Sequence, residues 1–416
     1  MNYEEAVAYI HSLLAFGIKP GLERITALLS SLGNPQEKLS FVHVAGTNGK
    51  GSTSTMMSEI LKAAGKKTGL FTSPYVYSFC ERMQINNENI PKQRLAEIVE
   101  RVKAAIADLA KQDLQPTEFE AITAAAMLYF AEEHCDVVVL EVGLGGRLDS
   151  TNVIRKPLVS ILTSISLDHT AILGDTLTKI ATEKAGIIKE NAMVVTTNAQ
   201  EAETLAVFEK VAKEKQATLK IAHLEKAKII EKTPNQTMFS YDGTTYTMHL
   251  AGDYQIENAV GVIEAAKTLP FVTEEAIKTG IAKTVMRARC EYRKGEPSLL
   301  IDGGHNPECA LALAGWLKSF APKHVTAVIG MMHDKDMEAY LNTVLPYCDK
   351  VIFCMPQNPR AASPEELKEA AKAQSHLDVS LESVPQKAFS KAKAETKKDG
   401  MVLLCGSFYM LSEVTI

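Results

Sequence analysis

The sequence predicts an α/β protein: a large, mostly parallel sheet domain followed by a smaller α/β domain. Three observations carry this expectation. The chain has 416 residues, and at about 100–200 residues per domain that implies two to four domains. Short β-rich runs alternate with longer helical patterns along the chain, the order expected of βαβ units. Many of those runs are continuously apolar, as strands covered on both faces are.

The elements follow in order. FVHVAG (41–46) reads as a first strand, and Met56, Met57, Ile60, Leu61 and Ala64 fall on one face of a helix just after it. Helices are expected at 92–111 and 118–134, then strands at DVVVLEVG (136–143) and LVSILTSI (158–165). In 176–188 the apolar stripe Leu177, Ile180, Ala181 and Ile188 marks another helix. After a break at Ala251-Gly252-Asp253, 254–268 and 273–284 read as helices. The polar stretch MRARCEYRKGEP (286–297) separates a helix from a new strand and predicts a domain boundary, giving domains 1–290 and 291–416. Strands at SLLIDGG (298–304), HVTAVIGMM (324–332), KVIFCM (350–355) and GMVLLCG (400–406) follow, in about 120 residues, enough for a small domain. The sequence carries no short internal repeat and no low-complexity tract.

Composition excludes several classes. Lys and Arg number 45 against 50 Asp and Glu, a formal net charge of −5, so nothing electrostatic points to a nucleic acid or an anionic membrane as partner. No apolar run approaches the ~20 residues of a membrane helix. The acidic start MNYEEAVAYI lacks the basic and apolar regions of a secretory signal. Cysteines stand at 80, 135, 290, 309, 348, 354 and 405, an odd number without C-x-x-C. No disulfide framework or structural zinc is expected, each cysteine reads as a small buried hydrophobe, and a reducing cytoplasm is expected.

The strongest local feature is HVAGTNGKGSTS (43–54), between a strand and a helix. Gly46, Gly49 and Gly51 permit a tight turn and close approach to an anion. Backbone N–H groups and the helix N-terminus then face negative charge. Lys50 supplies a cation for phosphate oxygens, and Ser52 a hydroxyl for a phosphate-bound Mg2+. The match to G-x-x-x-x-G-K-[ST] is imperfect, with Val44 at the first glycine and Gly51 after the lysine.

Three further positions stand out. Glu141 ends a strand at the edge where α/β sheets bind ligands, and reads as a Mg2+ holder or as a charged surface contact. Asp168 and His169 follow the next strand, and His169 reads as a metal ligand or a solvated loop residue. Lys184 lies four residues after Ile180 and four before Ile188, inside the apolar stripe. Desolvation there favours a neutral amine, able to take up CO2 as a carbamate; the alternative is a side chain snorkelling to the surface.

GTNGKGST, TSPYVYSFCERMQINNENI, EVGLGGRLDSTN, LDHTAILGDTLTKIATEKAGIIK and IDGGHNP occur in this order, after the opening GLERITALLSSLGNPQEKLSFVHVAGTNGKGS. Over roughly residues 20–410 the chain resembles the folylpolyglutamate synthases, including the bifunctional dihydrofolate synthases, of the Mur-ligase superfamily. The resemblance implies a P-loop-type first domain and a smaller Rossmann-like C-terminal domain. It also implies an ATP-dependent amide ligase: ATP phosphorylates a carboxylate of the pterin substrate, L-glutamate's amine attacks the acyl phosphate, and ADP and phosphate leave. Within it, Gly49, Lys50, Gly51 and Ser52 resemble the nucleotide phosphate loop. Ser73, Glu141 and His169 resemble the magnesium ligands, together with Ser52, and a monovalent cation such as K+ is compatible. Lys184 resembles the family's carbamylated lysine. Asn258 and Arg289 resemble nucleotide contacts, to the base and the phosphates respectively, Asp302 resembles a nucleotide-binding aspartate of the second domain, and His305 and Ser407 resemble candidates for the glutamate side of the site. Thr117-Glu118-Phe119-Glu120 and Leu148-Asp149-Ser150 resemble segments that contact the pteroate portion. Arg82 is the candidate for a substrate carboxylate, its alternative being an ordinary salt bridge, and Tyr75 offers a stacking surface or fills loop space.

The nucleotide is expected between the two domains, with closure excluding water from the acyl phosphate. The chain departs from the family's common TSPHL at Ser73-Pro74-Tyr75-Val76, from DGAHN at Gly304, and from G-R-[LF]-E at Ala288-Arg289-Cys290-Glu291. A cell-wall amino-acid ligase is the first rival, but only 45 residues precede Gly46, too few for the carrier-binding domain of those enzymes. A nucleotide-dependent switch protein is the second, and it would not need Lys184, Asp302 or His305. The expected protein is a cytoplasmic monomer whose partners are folate or dihydropteroate, L-glutamate and ATP.

Overall fold

A computed structural model describes residues 1–17, 19–372 and 377–416. The described chain divides into two compact units, Met1–Ala227 with Glu257–Thr284, and Lys228–Ile256 with Val285–Ile416.

The first unit is built on an eight-stranded sheet. Its strands are β1 (Phe41–Ala45), β2 (Thr68–Phe71), β3 (Met83–Ile85), β4 (Glu88–Asn89), β5 (Val137–Glu141), β6 (Val159–Leu162), β7 (Met193–Thr197) and β8 (Thr218–Ala222). They lie in the order β4-β3-β2-β5-β1-β6-β7-β8. β2 pairs parallel with β5, β5 with β1, β1 with β6, β6 with β7 and β7 with β8, while β3 and β4 add an antiparallel edge. The chain winds to one side of β1 for β2 and β5, and to the other for β6 to β8. That makes β1 the switch point, where the loops at the strands' C-terminal ends open a crevice. In register, Val44 faces Glu141 and Ala45 faces Leu162, so the ends of β1, β5 and β6 meet at one edge.

The continuous apolar runs have the predicted cause. Every residue of β1, β5 and β6 is buried. One core joins β1, β2 and β5 to helices Tyr3–Ser12, Glu23–Ser31, Lys92–Ala110 and Glu118–Glu132, including Ile10, Leu28, Val99, Phe130 and Leu140. A second gathers Ile180, Ala181, Ile188, Val194 and Phe208 around helices Leu177–Ala185 and Ala202–Glu214. Gly280, in helix Glu274–Lys283, lies so close to helix Lys50–Ala63 that a Cβ would come 2.5 Å from Ile60 Cα.

The second unit holds two sheets. β9 (Ala227–Thr233), β10 (Gln236–Tyr241) and β11 (Thr244–Met248) form the smaller one, in the order β11-β10-β9. β12 (Glu291–Arg293), β13 (Ser298–Asp302), β14 (Val325–Ile329), β15 (Lys350–Phe353), β16 (Asp378–Leu381) and β17 (Met401–Cys405) form the larger, in the order β12-β13-β17-β14-β15-β16. β13, β17, β14, β15 and β16 pair parallel and β12 antiparallel at the edge. Helix Pro307–Phe320 starts with Asn306 capping Cys309 N and Pro307 at its first position. Its Trp316 donates from Nε1 to the Pro234 carbonyl at 3.3 Å, tying the β9–β10 turn to the unit.

The predicted α/β class, with a large mostly parallel sheet and a separate C-terminal sheet, matches this architecture. β2 to β4, β7 to β12 and β16 were not predicted. All seven cysteines are free thiols.

Candidate active site

The loop after β1 is held open by glycine and by hydrogen bonds to the loop after β6. Gly46 has φ 158°, and a Cβ on it would lie 1.7 Å from Thr163 Oγ1. Gly49 has φ 80° and caps helix Lys50–Ala63 without a side chain, so that helix directs its first N–H groups toward an anion. A Cβ on Gly49 would come 2.2 Å from Asn258 Oδ1, which places the predicted base contact Asn258 directly against the phosphate loop. Thr47 N donates to the Ser164 carbonyl at 2.8 Å, and Thr47 Oγ1 donates to the Ser166 carbonyl at 3.1 Å. Thr163 Oγ1 donates to the Asn48 carbonyl at 2.6 Å. Lys50 folds back over the loop, donating to the carbonyls of Gly46 at 3.1 Å and Thr47 at 3.0 Å. Gly51 and the buried Ser52 occupy the first turn of the helix.

Lys184 is buried, 4% exposed, near the end of helix Leu177–Ala185. Its Nζ donates to the Gly46 carbonyl at 2.7 Å. Burial, and next the positive charge of Lys50, push its pKa down to about 7 against the opposing pull of Asp168 and Asp149. The cover over this lysine is the GLGGR loop after β5. A Cβ on Gly146 would lie 2.9 Å from the Lys184 carbonyl oxygen, and one on Gly186 would lie 2.4 Å from Arg147 Cα. Arg147 N donates to the Glu183 carbonyl at 2.8 Å, and Asn152 Nδ2 donates to the carbonyls of Arg147 at 3.1 Å and Gly186 at 3.0 Å. The two segments pack because glycine lets their backbones touch.

The predicted oxygen ligands lie at the same edge. Glu141, at the end of β5, is buried and accepts from Ser73 N at 2.9 Å, so two of the predicted magnesium ligands are neighbours. His169 is the exposed member of the predicted set. It takes a left-handed φ of 50° before the short helix Thr170–Leu173, its side chain is 43% exposed, and Nε2 lies 3.9 Å from Asp168 Oδ2. Among the described residues no three His, Cys, Asp or Glu side chains gather into a group able to hold a metal.

The predicted acceptor segments form the next wall. Thr117 and Glu120 make a capping box for helix Glu118–Glu132. Phe119 lies against Gly143, where a Cβ would come 2.4 Å from its Cζ, with its centroid 5.9 Å from that of Phe71. Asp149 is buried and accepts from Leu144 N at 2.8 Å and Thr151 N at 2.9 Å. Burial raises its pKa, and these hydrogen bonds oppose the rise. Ser150 shares a 2.8 Å hydrogen bond with Thr123, and Leu148 beside them is half-buried. The loop after β2 is ordered by Glu81, whose carboxylate accepts from Val76 N at 2.8 Å, Tyr77 N at 3.1 Å and Ser78 N at 3.0 Å. Arg82 stacks its guanidinium 5.1 Å over Tyr75 and 5.5 Å over Phe79.

In the second unit Asp302, ending β13, is buried and accepts from Cys290 N at 2.9 Å and Gly304 N at 2.8 Å. Burial raises its pKa, and the Arg289 charge and these N–H groups oppose that. Arg289 sits 4.5 Å over the Phe408 ring. His305 Nδ1 is 3.4 Å from the Gly303 carbonyl. Ser407, buried, caps helix Phe408–Ser412 through Tyr409 N at 3.1 Å.

The chain is similar to known proteins over nearly its whole length. Residues 44–266 match the Mur ligase middle domain, and residues 288–408 the glutamate ligase domain of Mur ligases. The dihydrofolate synthase/folylpolyglutamate synthase of Bacillus subtilis is 36% identical over 99% of this chain and 98% of its own length. The folylpolyglutamate synthase of Lacticaseibacillus casei is 38% identical over 100% of this chain and 98% of its own. The chain belongs to the folylpolyglutamate synthase/dihydrofolate synthase family. Among solved structures, E. coli FolC in complex with DHPP and ADP superposes with a TM-score of 0.86 at 31% identity, covering 99% of this chain and 96% of that one. The Mycobacterium tuberculosis folylpolyglutamate synthase complexed with ADP and AMPPCP gives 0.87 at 27% identity, covering 99% and 98%.

Against the pattern of this ligase family, two departures have a visible physical form. Cys290 takes a left-handed φ of 46° with its N–H on Asp302. Gly304 leaves no room for a methyl group, since a Cβ would lie 2.6 Å from Cys309 Cβ and 2.7 Å from Asp302 Oδ1. Sequence reasoning missed Thr163 and Ser166, which hold the phosphate loop, and the packing role of Gly146 and Gly186. It placed the helix start at 118, in agreement with helix Glu118–Glu132, but did not read T-x-x-E at Thr117 as its capping box.

Proposed function

We propose that this ATP-dependent ligase adds L-glutamate both to dihydropteroate and to folates that already carry glutamate. The observation that carries the reading is the meeting, at one sheet edge, of a phosphate loop, the Glu141 carboxylate and a buried Lys184 on the Gly46 carbonyl. The bifunctional part is supported by the full-length likeness to the Bacillus subtilis enzyme of both names and to E. coli FolC in complex with DHPP and ADP.

In this reading an acceptor carboxylate oxygen attacks the γ-phosphorus of ATP and the bond to ADP breaks. The amine of L-glutamate then attacks the acyl carbon, the C–O bond to phosphate breaks, and the amine gives up a proton. Little covalent chemistry falls to the protein, so its work is positioning and charge neutralisation. The loop N–H groups and Lys50, with Gly49, Gly51 and Ser52, cradle the phosphates. Asn258 and, from the C-terminal part, Arg289 and Asp302 bind the nucleotide, and His305 and Ser407 serve the glutamate side. Phe119, Tyr75 and the Thr117–Glu120 and Leu148–Ser150 segments hold the acceptor, and Arg82 takes its carboxylate. The division into residues 1–290 and 291–416 belongs to this reading.

Hydroxyl and carboxylate donors suit Mg2+, which keeps waters and phosphate oxygens as ligands instead of requiring a full protein cage. Ser52, Ser73, Glu141 and His169 would hold it, and it would neutralise phosphoryl charge. Lys184 fits a carbamate, since its pKa of about 7 leaves about half of the amine uncharged at neutral pH; the group would supply a negative charge beside Lys50. A monovalent cation such as K+ is part of the same proposal. We place the enzyme in the cytoplasm as a monomer, and its seven free thiols support a reducing compartment.

The test is Mg2+- and ATP-dependent incorporation of labelled L-glutamate, with dihydropteroate and tetrahydrofolate as parallel acceptors. Incorporation into both is expected. Incorporation into tetrahydrofolate alone would make the enzyme an extension-only synthase, and incorporation into neither would overturn the acceptor assignment.

A further inference from the structure

Two basic residues from the N-terminal helices reach the acceptor segment, and nothing above gives them a role. His11, in helix Tyr3–Ser12, has Nδ1 2.8 Å from Glu118 Oε1. Arg24, in helix Glu23–Ser31, donates from Nε to Glu120 Oε2 at 3.2 Å. The contacts cross 107 and 96 residues of sequence. Glu118 and Glu120 flank Phe119 in the first turn of one helix, and at about 100° per residue they project to either side of it.

Helix capping alone does not account for these contacts. Acidic residues in a first turn already suit the helix dipole, and the capping box already uses Glu120 Oε2 for Thr117 N at 2.7 Å and Thr117 Oγ1 at 2.9 Å. Glu120 is 4% exposed, and its Oε1 has no hydrogen-bonding partner among the described residues. Arg24 adds its positive charge and a further donor to the same Oε2, balancing a buried carboxylate. Arg24 is itself anchored through Nη2 to the Lys19 carbonyl. His11 also meets Phe79 edge-on at 5.7 Å; Phe79 lies 5.7 Å from Tyr75, and Arg82 stacks over both. One continuous set of contacts thus joins Arg82, Tyr75, Phe79, His11 and Glu118 to Phe119.

We propose that His11 and Arg24 are positioning residues for the acceptor: they grip the two carboxylates beside Phe119 and so fix its ring against Gly143. The proposal rests on the reading of residues 117–120 as an acceptor wall. It concerns acceptor binding and leaves the phosphate loop, which neither residue touches, unaffected.

Steady-state kinetics on the full chain tests it, using His11→Ala, Arg24→Ala, His11→Gln and Phe119→Ala with dihydropteroate and ATP varied separately. Loss of one charge-assisted hydrogen bond should raise KM for dihydropteroate about tenfold in each alanine variant of the clamp, with KM for ATP unchanged. His11→Gln, whose amide can still donate to Glu118, should return to within about twofold of the parent. An unchanged acceptor KM in both clamp variants, with a raised one in Phe119→Ala, overturns the clamp alone. An unchanged acceptor KM in Phe119→Ala overturns the acceptor wall and the clamp with it. A parallel rise in KM for ATP also overturns the proposal, because it would mark a general structural effect. His11 is 36% exposed at its side chain, so its two variants decide the matter if Arg24→Ala does not fold.

Discussion

Lys184→Met should stabilise the protein while abolishing ligation, and the stabilisation should depend on pH. The lysine is 4% exposed and its pKa falls from 10.5 to about 7. At about 1.36 kcal/mol per pH unit, holding this amine in the folded protein at low pH is unfavourable by about 5 kcal/mol. The folded-state pKa lies below the unfolded one, so between about pH 7 and 10.5 the unfolded chain binds the extra proton. Stability therefore rises with pH across that window, and the whole penalty stands below it. By this linkage the penalty is about 5 kcal/mol at pH 6 and about 2 kcal/mol at pH 9. Methionine removes it but loses the hydrogen bond to the Gly46 carbonyl, worth about 1 kcal/mol. The variant should gain about 4 kcal/mol at pH 6 and about 1 kcal/mol at pH 9. Thermal melts of both proteins in CO2-free buffer at the two pH values measure this. Adding 13C-bicarbonate should give a carbamate resonance in the parent and none in the variant. A melting-point difference that is the same at pH 6 and pH 9 would refute the desolvated amine. A missing resonance would refute the carbamate.

Three further outcomes follow from single contacts. Gly46→Ala should destabilise by at least about 3 kcal/mol and remove nucleotide binding, because its Cβ would overlap Thr163 Oγ1 at 1.7 Å; Thr163→Ser, which keeps that oxygen, should not rescue it in a melt or an ATP-binding titration. Arg82→Lys keeps the charge but loses the stack on Tyr75 and Phe79, so KM for the acceptor should rise about fivefold while KM for ATP stays constant, as steady-state kinetics would read. Gly304→Ala should lower stability by about 1–3 kcal/mol and weaken ATP binding by crowding Asp302, and Cys309→Ala should not relieve it, since the closest contact is with the Cys309 Cβ.

How far the sequence could be read depended on where the cause of each feature lay. β1, β5 and β6 were legible because every residue in them is buried, which writes a continuous apolar run into the chain. β8 is mostly half-buried and β9 largely exposed, and β10 buries only alternate residues, so none of them writes such a run. β2 is fully buried, but its residues Thr68-Gly69-Leu70-Phe71 carry only two large apolar side chains, too few to separate from a loop by pattern. The phosphate loop was legible from glycine spacing and a lysine, whereas Thr163 and Ser166, which brace it, are about 115–120 residues away in sequence.

Lys184 marks the boundary between the two kinds of information. Its place in an apolar stripe is local and left two outcomes open, a neutral buried amine or a snorkelling cation. The choice is made by Gly146 and Gly186, which let the loop after β5 close over the helix end, and by the Gly46 carbonyl, which receives the amine. A periodicity of 3.6 residues carries no record of a partner 138 residues away. The same limit hid the clamp on Phe119. Thr117 and Glu120 are written as a local cap, but the basic residues that engage Glu118 and Glu120 come from the first thirty residues of the chain. Both cases have one physical cause. Desolvation and pairing are properties of the closed site, so the residue types in a motif name the chemistry available, and contacts from distant segments set the charge and position in which it is used.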